Sequence, residues 1–264
     1  MTKGSRSLFS AQTRARARSV LGRRDTRVLL ALDVDGTIAP IVRKLGRARV
    51  PAATLRMLDR LTRMRGVTVA LVSARSARVL RRLVPVPRAR LAALYGLEGV
   101  VAPAASRRMR WRRDAKRIAA LLEPIAEAFP GTVLERKSMT VALHDRGVAR
   151  GRFPALRRAL RRAATAARPL GFEPVRGHRV TEFVPRGYDK GRALSMLRRR
   201  YAPGVVLYFG DSDADERAFA VLSRNDFPVR VGPGRTRARY RVRGPGEVVG
   251  FLRSLISLRS GLDP

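Results

Sequence analysis

"LLALDVDGTIAP", residues 29–40, runs from an apolar stretch straight into two aspartates, Asp33 and Asp35, separated by a single residue. A continuous apolar run of this kind predicts a strand buried on both faces, as in a parallel sheet flanked by helices. Side chains two apart at the carboxyl end of such a strand point to the same side. Both carboxylates therefore converge on the crevice where open α/β sheets bind ligands. Two like charges so close repel unless something positive sits between them. The placement stands out because acids are scarce here: the chain has 20 Asp plus Glu against 57 Lys plus Arg, for a net charge of +37.

Reading outward from this stretch, the helical spacing of "AATLRMLDRLTRM" and the apolar runs "GVTVALVSA" and "LAALYGLEGV" continue an alternation of strand and helix. After about residue 100 the texture changes. Residues 132–146 predict two strands with polar alternation, 153–167 an amphipathic helix, and "GFEPVRGHRVTEFVP" a hairpin turned at Arg176-Gly177-His178. The parallel texture then resumes: "YDKGRALSMLRRR" predicts a helix, "GVVLYFGD" a strand, "DADERAFAVLS" a helix, "FPVRVG" a strand, and about 246–258 a closing helix. Arg235, Arg237, Arg239, Arg241 and Arg243 alternate with Thr236, Ala238, Tyr240 and Val242, which predicts an edge strand with one very basic face. The expectation is an α/β protein whose core, residues 27–99 and 185–264, has a parallel central sheet flanked by helices. An α+β cap, residues 100–184, is inserted in it, and residues 1–26 form a basic arm.

Composition narrows the chemistry. There is no cysteine, which excludes thiolate nucleophiles, disulfides and cysteine-held metal centres. Two histidines, His144 and His178, leave little material for a Ser-His-Asp triad or a multi-histidine metal site. Catalysis must run on carboxylates. No apolar run approaches a membrane span, and the expectation is a cytoplasmic monomer with no membrane partner. Only five of the basic residues are lysine, and an arginine-rich surface of this charge should attract polyanions incidentally.

A second acidic cluster, "GDSDADE" at 210–216, also follows an apolar strand and supplies Asp211, Asp213, Asp215 and Glu216. Either cluster taken singly reads as a helix N-cap. Together they hold six of the chain's 20 acids at two strand ends and point to a hard divalent cation with oxygen ligands, most simply Mg²⁺. Ser73 ends "LVSAR" after one strand, and its hydroxyl can donate to a phosphate oxygen. Lys190 opens a helix in "YDKGRAL", where its ammonium would meet a phosphate as a point charge.

The order DxDGT (Asp33-Val34-Asp35-Gly36-Thr37), strand-end Ser, helix-start Lys, then GDxxxDE resembles the four-motif signature of the haloacid-dehalogenase-like (HAD) phosphatases. The wording "LDVDGTIAP", "LVSAR", "YGLEGV", "ERK…ALHDR", "DKGRAL" and "FGDSDADERAF" is similar to the trehalose-6-phosphate phosphatases among them, across roughly residues 28–255. The resemblance implies a HAD-like Rossmannoid core with an inserted cap, and a Mg²⁺-dependent hydrolysis of a small-molecule sugar phosphate as the last step of trehalose biosynthesis. It makes Asp33 the nucleophile that forms an aspartyl-phosphate. Asp35 becomes the general acid and then the general base. It assigns the metal to Asp33, the Asp35 carbonyl and Asp211, with Asp215 in support, and the phosphate to Gly36, Thr37, Ser73 and Lys190. The sugar falls to the cap residues Glu135, Lys137, Arg146 and Glu182. The fourth motif departs from the family's usual GDDxTDE, with Ser212 and Ala214 in place of the second Asp and the Thr. The same chemistry on a sucrose, mannosyl or glucosyl phosphate, and a basic nucleic-acid-binding protein on a phosphatase fold, are the alternatives.

Overall fold

The structure, a computed structural model, describes residues 5–42, 48–177 and 179–261. His178, expected in the cap hairpin turn, lies outside the described residues. In chain order the elements are β1 (Arg6–Ser7), α1 (Ala11–Leu21), β2 (Val28–Leu32), α2 (Ala52–Arg63), β3 (Val67–Val72), α3 (Ala77–Leu83), β4 (Arg90–Ala93) and β5 (Glu98–Gly99). There follow α4 (Ala105–Ala128), β6 (Val133–Arg136), β7 (Val141–His144), α5 (Phe153–Ala167), β8 (Phe172–Gly177) and β9 (Val180–Pro185). The chain closes with α6 (Lys190–Tyr201), β10 (Val205–Gly210), α7 (Glu216–Ala220), β11 (Phe227–Val231), β12 (Tyr240–Val242) and α8 (Pro245–Ser260). These fall into two compact units, one made of the residues up to Val101 together with those from Lys190 on, the other Ala102–Asp189.

The first unit is built on a sheet of order β1-β12-β11-β10-β2-β3-β4-β5, parallel throughout except for the antiparallel β4–β5 pair. Its middle strands are fully buried because both faces are covered. Leu30 and Leu32 of β2 enter a core with Leu58 and Leu61 of α2 and Leu252 and Leu255 of α8. The alternate residues Leu29 and Ala31 enter another with Ala193, Leu194 and Leu197 of α6 and Phe219 of α7. This is why β2 and β10 read as unbroken apolar runs rather than as alternating ones. From β2 the chain winds outward through β3 and β4, then returns to β10 on the other side of β2 and winds the opposite way through β11 and β12. The reversal lies between β2 and β10, and crevices at such switch points take the ligands of open α/β sheets.

Two expectations change in this unit. The residues expected as a basic arm are folded in: β1 pairs with β12, and Leu8, Ala17 and Leu21 are buried in the core beneath it. Three apolar positions in an arginine-rich stretch suffice to dock a helix. The basic strand around 235–243 shortens to β12, with Ala238, Tyr240 and Val242 buried as the alternation requires. Arg235, Arg237 and Arg243 are exposed, whereas Arg239 and Arg241 turn back onto the protein. Arg239 donates to the carbonyls of Ser223, Arg224 and Asp226, Arg241 donates to those of Gly232 and Gly234, and Arg243 pairs with Glu247.

The second unit is an antiparallel sheet of order β6-β7-β9-β8 with α4 and α5 packed on it. Helix α5 covers the residues its periodicity predicts, with Leu156, Leu160, Ala163 and Ala167 buried and the arginines between them turned outward. Helix α4 is an element the sequence reading did not place. Trp111, Ala115, Ile118, Ala119 and Leu122 form its buried stripe, but the basic residues crowding its first half obscure the period. Among the described residues, no helix is long and apolar enough to cross a membrane.

Candidate active site

Strands β2 and β10 run in parallel register from Val28↔Val205 to Leu32↔Phe209, and the Asp33 amide continues the ladder by donating to the Phe209 carbonyl at 2.9 Å. The two acidic clusters, far apart in sequence, thus leave adjacent strand ends at the switch point. Asp33, Asp211 and Asp215 offer carboxylate oxygens that all lie within 4.8 Å of one another. Gly36 makes this approach possible. Its φ of +77° favours glycine, and a Cβ there would overlap the Asp211 carboxylate.

Lys190, the first residue of α6 and only 4% exposed, places Nζ 2.9 Å from Asp33 Oδ2 and 2.8 Å from Asp215 Oδ1. Asp215 is wholly buried and also accepts from the Tyr208 hydroxyl at 2.6 Å, the Ser212 amide at 2.9 Å and the Ser212 hydroxyl at 2.6 Å. Both its oxygens are taken by this chain's own donors, so it anchors Lys190. Burial disfavours its charge, yet Lys190, Ser212 and Tyr208 outweigh that and hold its pKa below the ordinary range. Burial likewise opposes the lysine's charge, and Asp215 and Asp33 more than restore it. Asp33 and Asp211 go the other way. Burial, helped by the neighbouring carboxylates, pushes both upward despite Lys190. One ammonium among three carboxylates leaves an excess of negative charge.

Asp35 points to a partner that the reading of "LVSAR" passed over. Arg75 grips its carboxylate with two hydrogen bonds, Nε to Oδ2 at 2.6 Å and Nη2 to Oδ1 at 2.7 Å. Ser73 is buried nearby in sequence, its hydroxyl accepting from the Arg75 amide at 3.2 Å. Gly36 and Thr37, to which the resemblance gives the phosphate, keep their amides within the turn. Gly36 N–H donates to the Ala39 carbonyl at 2.8 Å and Thr37 N–H to the Val34 carbonyl at 3.3 Å, because the chain reverses too tightly here to leave backbone donors outward. The Thr37 hydroxyl, fully buried, has no hydrogen-bond partner among the described residues.

In the second unit, the ladder sets Glu135 opposite Ala142 and Ala142 opposite Glu182, one row across three strands. Leu134, Arg136, Val141, Leu143 and Phe183 point to the other face, where Arg136 pairs with Glu123 of α4. Lys137 joins the polar row, with Nζ 2.8 Å from Glu182 Oε1 and 3.8 Å from Glu135 Oε2, and the Thr140 hydroxyl donates to Glu182 at 2.6 Å. Three of the four expected sugar residues are thereby brought together. Arg146 sits outside this row, in the exposed turn after β7.

Residues 31–244 match the family described as trehalose-phosphatase. The chain belongs to that family. It is 33% identical over 253 residues to a bifunctional trehalose-6-phosphate synthase/phosphatase of Thermoproteus tenax, spanning 90% of this chain but only 32% of the length of that relative. It is 29% identical over 240 residues to the trehalose-6-phosphate phosphatase of Escherichia coli, covering 84% of each. Among solved structures, the C-terminal domain of the C. albicans trehalose-6-phosphate phosphatase superposes with a TM-score of 0.78 at 21% identity, over 97% of this chain and 99% of that one. The fold is that of the HAD-like phosphatases with a cap domain.

Of the chain's two departures from the family's fourth motif, the one at Ser212 has a physical account. Ser212 caps the turn before α7 and donates twice to Asp215, so a hydroxyl does there what fixing Asp215 requires. The cluster also fits a divalent cation. Its donors are oxygen only, Asp33 and Asp211 carry charge that burial disfavours, and the Lys190 ammonium beside them does not balance three carboxylates.

Proposed function

We propose that the chain hydrolyses trehalose 6-phosphate to trehalose and inorganic phosphate through an aspartyl-phosphate on Asp33. The observation that carries this reading is the Asp33 carboxylate at a switch-point strand end, held by buried Lys190 beside Asp211, in a chain of the trehalose-phosphatase family. Asp33 Oδ attacks phosphorus, the phosphorus–oxygen bond to the sugar breaks, and Asp35 donates a proton to the departing sugar oxygen. Asp35 then takes a proton from the water that releases phosphate. Arg75 holds Asp35 in place between the two steps. Lys190, oriented by Asp215, and the hydroxyls of Ser73 and Thr37 are the donors for the transferring oxygens.

Asp33, Asp211 and the Asp35 carbonyl would hold Mg²⁺, which when bound supplies the positive charge that lets one anion approach another. EDTA is expected to abolish phosphate release and added Mg²⁺ to restore it. Full activity in metal-free buffer would remove Asp211 from this role.

For the sugar, the polar row Glu135, Lys137 and Glu182 is the recognition surface in this reading, since alternating charged groups can both donate to and accept from hydroxyls. The deciding experiment is phosphate release from a panel of sugar phosphates. Trehalose 6-phosphate should exceed glucose 6-phosphate in kcat/KM, because contacts to the second glucose assist the step at phosphorus. Lys137→Ala and Glu182→Ala should weaken the disaccharide phosphate more than a small phosphate ester. Equal kcat/KM for both sugars would reject the disaccharide and leave the phosphatase standing.

A further inference from the structure

His144 has no part in the reading above, although it is one of only two histidines in the chain. On the cap sheet it pairs with Val133, two pairs along the ladder from the Glu135–Ala142 pair and so on the same face as Glu135. Its Nε2 lies 2.9 Å from Glu135 Oε2, while its Nδ1 is buried and has no hydrogen-bond partner among the described residues. A buried lone pair tolerates that position better than a buried N–H would, so the ring proton sits on Nε2 and is donated to the carboxylate. The ring is only 12% exposed and the Glu135 side chain 43%. The ring is the more deeply buried of the two partners.

The neighbouring lysine does not do this work. Lys137 Nζ stands 3.8 Å from Glu135 but 2.8 Å from Glu182, so its ammonium belongs first to the more deeply buried Glu182. Removing the imidazole takes away the 2.9 Å hydrogen bond that fixes one carboxylate oxygen of Glu135, and a shift of that oxygen disturbs the row it shares with Lys137. We propose that His144 is a positioning residue for substrate recognition: its Nε2–H holds the Glu135 carboxylate where hydroxyls of a phosphorylated sugar meet it. This rests on the reading that Glu135 contacts the sugar.

A double-substitution cycle on the full chain, with KM and kcat read separately on trehalose 6-phosphate, tests it. His144→Ala should raise KM roughly tenfold, the weight of one hydrogen bond to a charged group, with the larger part of the change in KM rather than kcat. His144→Gln, whose amide can donate to the same carboxylate, should recover most of that loss. In a Glu135→Ala background, His144→Ala should raise KM no further, because the group it holds is gone. Should His144→Ala fail to fold, His144→Phe fills the space without a donor and serves the same cycle. Equal rises in KM with and without Glu135, or a loss confined to kcat, overturn the positioning role. If Glu135→Ala raises KM but His144→Ala does not, the sugar contact stands and the role of His144 alone fails. If Glu135→Ala leaves KM at its original value, the sugar-contact reading fails and this proposal with it.

Discussion

Asp33→Asn is expected to give a folded protein whose turnover of the proposed phosphorylated disaccharide falls by at least roughly 10³-fold. An amide has nearly the shape of a carboxylate but cannot form the acyl-phosphate, so the covalent route closes while the strand end keeps its packing. The stability of this variant carries a second expectation. Burial pushes the Asp33 pKa above its ordinary value. A carboxylate with a higher pKa folded than unfolded destabilises the native state at pH values above the unfolded pKa, so at pH 7 its removal should leave Tm unchanged or raise it. Thermal melting and phosphate release on the same preparation check both halves. A rate near that of the parent protein would sink the nucleophile assignment.

Lys190→Met should move stability the opposite way at the same ion pair. The methionine fills the volume of the lysine stem but takes the ammonium from between buried Asp33 and Asp215, with half-buried Asp211 beside them. Breaking a buried pair from one side costs about 3–5 kcal/mol. In a chain of this size that corresponds to a drop in Tm on the order of 10 °C. Turnover should also fall steeply, since a donor to the transferring oxygens is lost. Combining the two substitutions removes a carboxylate as well as the ammonium, and should recover part of the lost stability. A Lys190→Met protein that melts with its parent would show that the lysine does not balance these charges.

Much of the site was legible in the sequence because its chemistry is written in rare letters. Asp33, Asp35, Asp211 and Asp215 stand out where acids are few, and each cluster follows an apolar run that only a buried strand explains. Partners written in common letters were hidden. Arg75 is one arginine in a chain full of them, and its two bonds to Asp35 depend on a neighbouring strand. Tyr208 reads as another core aromatic inside "VVLYFG", and only its hydroxyl at 2.6 Å from Asp215 reveals a polar duty. Helix α4 was masked in the same way, its apolar stripe diluted by arginines that carry no periodic information.

The sequence by itself determined the alternation of strand and helix around β2 and β10, the presence of a second unit of different texture, and the residues able to do carboxylate chemistry. Local patterns suffice for these, because hydrophobic period and strand-end position are properties of a few neighbouring residues. Only the tertiary structure decided that Asp33 and Asp211 are neighbours, since that depends on the chain returning to the far side of β2 after the second unit. It also decided that Asp215 serves Lys190, that the Gly36 and Thr37 amides are consumed within their own turn, and that residues 6–21 join the core. For the turn the outcome is set by backbone groups that find partners three residues away, and for the others by segments distant in sequence that meet only in the folded chain, where buried polar groups must pair.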